Sequence, residues 1–372
     1  MPLLAEARRQ FETSKPFLGH KIGMSLHLEP KTAVLLETLT AGGAEIVATG
    51  NHGSTQDDVV AYLRSCGMTI FGSRADSLDD HKRNLASVLA HEPDILLDNG
   101  ADLAFGVSES RATQVIGGTE ETTSGALRLR GELMGKVPFP IIVINDSILK
   151  SIGENRHAVG QSVVESFMRI TNLMIPGRRF VVVGYGWCGR GVAQYLRALG
   201  GKVAVVETDE LVAFEAALDG YRVDTIGGLA GWGEVFITAT GHPGIIGADI
   251  FPLLNDGAVL ANCGHFPWEI DVEALRSMAS KIETIDNAIE RVEFADGRHI
   301  ILIAEGRMMN LAGREPKGNS LESMDIGFLL QALSLEQIAL NAAALLDGAQ
   351  PVPDEINRKI ARRMLETMGA SK

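Results

Sequence analysis

Cysteine is scarce: Cys66, Cys188 and Cys263 are the only three in 372 residues, far apart and with no C-x-x-C pair. That spacing excludes a disulfide framework and a thiolate metal site, so no metal is predicted, and it points to reduced, mostly buried thiols. Positive charge is also short, with 34 Lys and Arg against 47 Asp and Glu and a formal net charge of −13. Such a surface repels phosphate backbones and anionic lipid, which argues against nucleic-acid and membrane partners. No apolar run approaches the roughly 20 residues that span a bilayer. The opening "MPLLAEARRQ" mixes acid and base and does not read as a signal peptide. A cytoplasmic protein is the expectation. Repeats, low-complexity tracts and long charge runs are absent as well.

What is present is alternation. Apolar content of 45% over this length suffices for two cores. Short apolar runs at 44–49 (AEIVAT), 68–72 (MTIFG), 94–98 (DILLD), 114–118 (QVIGG) and 139–144 (FPIIVI) read as buried strands. Segments at 31–42, 56–67, 77–90 and 124–136 carry helical spacing between them. This predicts an α/β protein with a doubly wound parallel sheet. Polar residues gather just after the strands: Asn51 and His52, Asn99, Glu120 and Glu121, and the segment "NDSILKSIGEN" at 145–155. Ligands of open α/β sheets bind at those carboxyl ends.

A second α/β run follows a long helix predicted at 158–177. It opens with "FVVVGYGWCGRG", placing G-x-G-x-x-G at Gly184, Gly186 and Gly189 with Trp187 and Cys188 between. The three glycines suit a tight turn, close approach of backbone to a pyrophosphate, and close helix–strand packing. The next strand, "KVAVVE", ends in Glu207, 23 residues after Gly184. An acid there accepts from both ribose hydroxyls and repels a 2′-phosphate, so the cofactor expected is NAD. Further strands are predicted at 234–238 and 258–264, then a hairpin over 289–304 turned at Asp296–Gly297, then a helix over roughly 321–347 that packs back on the first domain. The predicted organisation is two doubly wound domains joined by hinge helices: a substrate domain, 1–150; a Rossmann NAD-binding domain, 151–315; and C-terminal helices, 316–372, returning to the first.

Several of these words together resemble the S-adenosylhomocysteine hydrolase (adenosylhomocysteinase) family over nearly the whole chain: "HLEPKTAVLLETL" (27–39), "NHGSTQDD" (51–58), "LDNGADL" (97–103), "EETTSG" (120–125), "INDSILKSIGEN" (144–155), "GYGWCGRG" (184–191), "NCGHF" (262–266) and "EGRMMNL" (305–311). The resemblance implies an NAD that oxidises a ribose 3′-hydroxyl, acidifies the C4′ hydrogen, lets the 5′-thiol leave and water add, and returns its hydride. It implies that Lys150 assists removal of the 3′-hydroxyl proton, Asn155 orients that lysine, Glu154 bonds the 3′-hydroxyl, Glu121 grips the 2′-hydroxyl, and His27 carries a proton near C4′ and the leaving group. It also implies that Thr122, Thr123, Thr240, Gly264, His265 and Asn310 line the cofactor. Read without the family, Lys150 and Glu154 are a surface ion pair at a helix start, and His27 is a structural histidine.

Five departures qualify the match. Asn99 stands where the family has a catalytic aspartate, and an amide cannot be a carboxylate base. Glu154 replaces an aspartate. Glu29 and Lys31 replace the threonine and glutamate that read adenine; Lys31 suits a carbonyl, carboxylate or phosphate, unless the two simply pair. The loop after "EGRMMNLAG" reads "REPKGNSLES", with Asn319 nearest to an expected histidine, and the chain ends at "RRMLETMGASK" without the family's lysine/tyrosine tail. The expectation is an NAD-dependent enzyme that transiently oxidises the 3′-hydroxyl of a nucleoside-like or nucleotide-like small molecule other than adenosylhomocysteine, in a homodimer or homotetramer. Adenosylhomocysteine hydrolysis, an NAD-binding regulator without catalysis, and an ordinary dehydrogenase stay open as alternatives.

Overall fold

The structure, a computed structural model of the chain, describes residues 1–110, 114–264 and 267–370. It contains two compact units, one of Met1–Ser151 with Leu321–Lys372 and one of Ile152–Ser320.

In the first unit the chain runs α1 (Pro2–Ser14), β1 (Lys21–Ser25), α2 (Pro30–Ala41), β2 (Glu45–Thr49), α3 (Asp57–Ser65), β3 (Thr69–Phe71), α4 (Leu78–Ala90), β4 (Ile95–Asp98), α5 (Asp102–Ser110), β5 (Gly117–Glu120), α6 (Thr123–Arg130) and β6 (Pro140–Val143). The second unit holds α7 (Val159–Thr171), β7 (Arg179–Val183), α8 (Trp187–Ala198), β8 (Lys202–Val206), α9 (Glu210–Leu218), β9 (Arg222–Val223), α10 (Ile226–Ala230), β10 (Val235–Thr238), β11 (Ala258–Asn262), α11 (Val272–Ser277) and the antiparallel run β12 (Lys281–Asp286), β13 (Ile289–Glu293) and β14 (His299–Ile303). The chain then returns to the first unit as α12 (Leu321–Asn341), β15 (Gly348–Pro351) and α13 (Asp354–Thr367).

The first sheet has seven strands, all parallel, in the order β15-β6-β5-β4-β1-β2-β3. Its order reverses between β1 and β4. One face packs on α1, α2 and α12 through Leu4, Phe11, Leu36, Ile22, Met24 and Phe328; the other packs Val88, Leu96, Leu103 and Val143. The second sheet has eight strands, β12-β13-β14-β11-β10-β7-β8-β9, parallel from β14 to β9, and reverses between β7 and β10. It too is covered on both faces. Two α/β units with parallel-dominated sheets agree with the alternation in the sequence.

Three differences have physical reasons. The strand expected at 114–118 lies at Gly117–Glu120, because Gly117 and Gly118 let the strand pass close to Ile338 and to the Leu96 carbonyl, where side chains would not fit. The helix expected over 158–177 stops at Thr171, closed by Asn172 at φ 52°, and is preceded by a π-helical segment, Lys150–Ala158. One helical stretch, Leu321–Ala344, is long and apolar enough to cross a membrane by length and composition, contrary to the reading of the sequence. In the fold it is a core helix: Phe328, Leu330 and Leu335 are buried in the first core, and its Asp325 accepts hydrogen bonds from Leu3 N and Leu4 N at 2.8 and 2.9 Å, capping α1.

Candidate active site

The reversal between β1 and β4 is where an open parallel sheet forms a crevice, because neighbouring connections leave in opposite directions. His27 follows β1 and Asn99 follows β4, so the topology alone brings these two distant words together. The "NHGST" loop after β2 ties them. Asn51 Nδ2 donates to Asn99 Oδ1 at 2.8 Å, and Ser54 Oγ lies 2.6 Å from His27 Nδ1 while donating to Asn51 O at 3.1 Å. Thr32 Oγ1 donates to His27 O at 2.6 Å, which fixes the start of α2 against the histidine.

Beside them sits a buried ion pair. Lys150 Nζ meets Glu121 Oε1, and the other carboxylate oxygen accepts from Gln331 Nε2 on α12. Lys150 is 4% exposed, Glu121 5% and Gln331 0%, so neither charge is held by bulk water. Burial of that kind is costly unless the partners and their hydrogen bonds are in place. Glu29 and Lys31 also pair, at 3.2 Å between Oε2 and Nζ, with Lys31 buried on α2 and Glu29 half-buried.

Under this surface lie two more carboxylates. Asp98 accepts from the backbone N–H groups of Asn99, Asp102 and Ala104 at 3.0, 3.2 and 2.9 Å, capping α5. Glu120 accepts from Gly100 N, Ala101 N, Thr122 N and Thr122 Oγ1 at 3.0, 2.8, 2.7 and 2.7 Å. Burial, and then the charge of Asp102, push Asp98 up to about 7. Burial, and then Asp98, push Glu120 up to about 8. In both cases the N–H donors pull the other way. Thr122 is the N-cap of α6, its hydroxyl accepting from Gly125 N at 2.9 Å. Thr123 is exposed on the first turn of that helix.

In the second unit the reversal falls between β7 and β10. Gly184 follows β7 at φ +97°, a conformation a side chain resists, and a Cβ there would lie 2.9 Å from Ala239 O just after β10. A Cβ on Gly186 would meet nothing within 4 Å, and one on Gly189 would lie 1.9 Å from Gly184 O. The loop is thus tight within and open at Gly186, and it ends at the N-terminus of α8, which includes Trp187 and Cys188 and whose unpaired N–H groups favour an anion. Glu207 is oriented by accepting from Tyr185 N at 2.8 Å and from Thr208 N and Asp209 N at 2.7 and 3.0 Å. These residues fit the pyrophosphate and ribose of a dinucleotide. Thr240 and Gly241 are pinned by the fully buried Glu269, at 2.9 and 2.8 Å from Thr240 N and Oγ1 and at 2.7 Å from Gly241 N. Gly264 packs on the same carboxylate. Asn310 is buried; its Nδ2 donates to Ser162 Oγ at 3.2 Å, and its Oδ1 has no partner among the described residues. Ser162 in turn donates to Asn319 Oδ1 at 3.2 Å, and Asn319 Nδ2 reaches Glu154 Oε1 at 3.4 Å. Asn155 is half-buried on the π-helical segment. His265 lies outside the described residues.

The first unit therefore assembles His27, Asn99, Glu121 and Lys150 with Glu29 and Lys31 nearby on the chain, and the second places Glu207, Thr240 and Gly264 about the glycine loop and links Asn310, Asn319 and Glu154 through Ser162. Ser54, Gln331, Glu120 and Glu269 are not found as site residues by reading motifs. The signal for Gln331 is a lone amide inside the apolar run "GFLLQAL", a buried polar group that needs a reason.

Residues 1–116 match the family model for S-adenosyl-L-homocysteine hydrolase, and residues 155–315 the model for its NAD binding domain. An S-inosyl-L-homocysteine hydrolase of Methanopyrus kandleri is 44% identical over 99% of this chain and 88% of its own length. An adenosylhomocysteinase of Archaeoglobus fulgidus is 43% identical over 99% of this chain and 92% of its own. Among solved structures, a dipicolinate synthase chain from Bacillus halodurans aligns with a TM-score of 0.53 at 13% identity, covering 87% of this chain and 99% of that one. An NAD+-bound 3-phosphoglycerate dehydrogenase of Entamoeba histolytica aligns with a TM-score of 0.51 at 14% identity, covering 87% and 96%. At those identities the likeness is one of fold. By its relatives and both family models, the chain belongs to the S-adenosyl-L-homocysteine hydrolase family and is an NAD-dependent hydrolase.

Proposed function

We propose that this enzyme hydrolyses an S-ribosylpurine thioether of L-homocysteine, and that the purine is hypoxanthine, so that S-inosyl-L-homocysteine and water give inosine and L-homocysteine. The observation that carries the reaction is the buried Lys150–Glu121 pair at the carboxyl ends of the first sheet. NAD, when bound, supplies a hydride acceptor for C3′ and returns that hydride at the end of the cycle. Gly184, Gly186, Gly189 and Glu207 would hold its pyrophosphate and ribose, and Asn310, Thr240 and Gly264 its nicotinamide end.

Lys150 takes the 3′-hydroxyl proton, while Glu121 accepts from the 2′-hydroxyl and Glu154 from the 3′-hydroxyl. A ketone at C3′ makes the C4′ hydrogen acidic, because the carbanion is delocalised onto oxygen. Asn99 cannot remove that proton. We assign that proton to His27, which follows β1 and lies against Ser54, and it hands the proton to the departing homocysteine sulfur. Water then adds at C5′, the C4′ proton is restored, and Lys150 returns its proton to the 3′-oxygen. No net oxidation results.

The choice of base rests on Glu29 and Lys31, which pair with each other and would turn their other carboxylate oxygen and ammonium hydrogens to the base. Hypoxanthine offers a carbonyl at C6 and an acidic lactam N1–H. An ammonium donates well to the first and a carboxylate accepts well from the second. Two relatives, from Methanopyrus kandleri and Methanosarcina acetivorans, carry the S-inosyl name at 44% identity each. The second reading is S-adenosyl-L-homocysteine, since Glu29 can also accept from an adenine amino group and relatives at 43% carry that name. The test is thiol release by NAD-loaded enzyme from each thioether. We expect kcat/KM to favour S-inosyl-L-homocysteine by at least about 100-fold, as sites built on base-edge hydrogen bonds discriminate. Faster release from the adenosyl compound would establish the second reading instead.

A further inference from the structure

Glu120 has no part in the chemistry assigned above, yet its carboxylate accepts four hydrogen bonds under the site. We propose that Glu120 is a positioning residue: one carboxylate that clamps the β4–α5 turn to the β5–α6 turn, and so sets Glu121, and through Asn99 and Asn51 the loop that holds His27, at the spacing the reaction needs.

Three independent features carry this. The first is the division of its bonds. Gly100 N and Ala101 N come from the turn that follows Asn99, whereas Thr122 N and Oγ1 come from the residue that follows Glu121. The second is backbone strain. Gly100 and Ala101 have φ of +99° and +58°, two successive left-handed residues whose N–H groups both aim at the carboxylate. An alanine resists that region, and such a turn persists only where its surroundings hold it. Successive N–H groups in this arrangement form a cradle for acceptor oxygens, and here a side chain supplies them. The third is room made for it. A Cβ on Gly125 would lie 2.1–2.5 Å from the Glu120 carboxyl atoms, so α6 can start where it does only because residue 125 has no side chain. Glu120 itself has 0% exposure.

An amide of the same shape cannot do this. In Glu120→Gln one oxygen can still serve Gly100 and Thr122, but the NH2 group then faces the Ala101 N–H, donor against donor. The strained turn loses its hold, and Asn99 and Glu121 move relative to each other. Relief of the strain at residue 101 should then compensate in part.

The inference rests on the proposed reaction, and the experiment separates the two. Amide hydrogen exchange on the NAD-loaded holoenzyme reads the clamp directly: Glu120→Gln should speed exchange at Gly100 and Ala101 at least tenfold. Formation of enzyme-bound NADH with inosine, and thiol release from S-inosyl-L-homocysteine, read the consequence. Displacements of an ångström or less at reacting groups cost about 10- to 100-fold in rate. We therefore expect kcat to fall by about that factor with KM changed less than threefold, and Ala101→Gly in the Glu120→Gln background to recover at least part of it. Unchanged exchange overturns the inference, as does unchanged kcat in a variant whose exchange has risen, or a loss of kcat that Ala101→Gly does not relieve. Wild-type enzyme that reduces no NAD with any nucleoside overturns the reaction instead, and the exchange result alone then decides the clamp.

Discussion

Replacing Glu121 by leucine tests the electrostatics of the site without reference to any substrate. Lys150 and Glu121 are 4% and 5% exposed, so their mutual attraction offsets desolvation that water would otherwise supply. Leucine leaves the ammonium buried opposite an apolar group and removes the acceptor of Gln331 Nε2. Breaking a buried pair from one side costs about 3–5 kcal/mol. For a unit of this size a kcal/mol corresponds to roughly 2–4 °C, so the first unit should melt roughly 6–20 °C lower. Adding Lys150→Met to Glu121→Leu removes the remaining buried charge, and most of the lost stability should return, because well-packed apolar groups replace buried pairs at little net cost. Differential scanning calorimetry at one pH and salt concentration reads all three proteins. If Glu121→Leu melts within about 2 °C of wild type, or if the double variant melts lower than the single, the pair is not a buried, mutually dependent unit. Bound NAD should not be reduced by inosine in either variant.

Glu207→Ala should raise the Kd for NAD by about 10- to 100-fold, the scale of charged hydrogen bonds, and narrow the preference over NADP; titration calorimetry showing no change would remove Glu207 from the cofactor site. Asp98 and Glu120 are both raised, to about 7 and about 8, so the folded protein holds protons that the unfolded chain releases above about pH 4. Their stabilising contribution is therefore complete below about pH 4 and declines as pH rises through 7 to 8. Glu120→Gln should flatten the decline of melting temperature between those limits, and an identical slope would refute it. Asn99→Asp keeps its acceptor for Asn51 Nδ2 and should fold as the wild type does, while exchange of the C4′ hydrogen with deuterated solvent rises about tenfold; no rise would mean that His27 already carries that proton unaided.

Much of the molecule is legible without coordinates where one physical cause acts locally. The glycine loop is one such place: strand, turn and helix start lie within a dozen residues, and each glycine answers to a close contact. The strands that are evident are those buried on both faces. β1 is less so because Gly23 and Ser25 interrupt its apolar pattern, and β12 because all six of its residues are exposed. The strand at Gly117–Glu120 escapes the apolar pattern because its fit is set by neighbouring backbone rather than by its own side chains. Site residues follow the same division. Lys150, Glu121 and His27 stand in recognisable words, whereas Gln331 is separated from Glu121 by 210 positions and meets it only because α12 packs against the first sheet. The Glu29–Lys31 pair is one of the alternatives the sequence leaves open, and it forms.

The return of the chain at Leu321 bears on how the molecule is made. β15 adds the edge strand beside β6, and α12 fills the core that β1, β2 and β4 have already begun. The unit at Ile152–Ser320 is continuous and can close on itself while synthesis proceeds, but its neighbour must wait, with an apolar sheet face uncovered, until the segment from Leu321 onward leaves the ribosome. Nascent protein is then most vulnerable to aggregation and proteolysis late in translation, and a stop codon within that returning segment would be as damaging as one among the first strands.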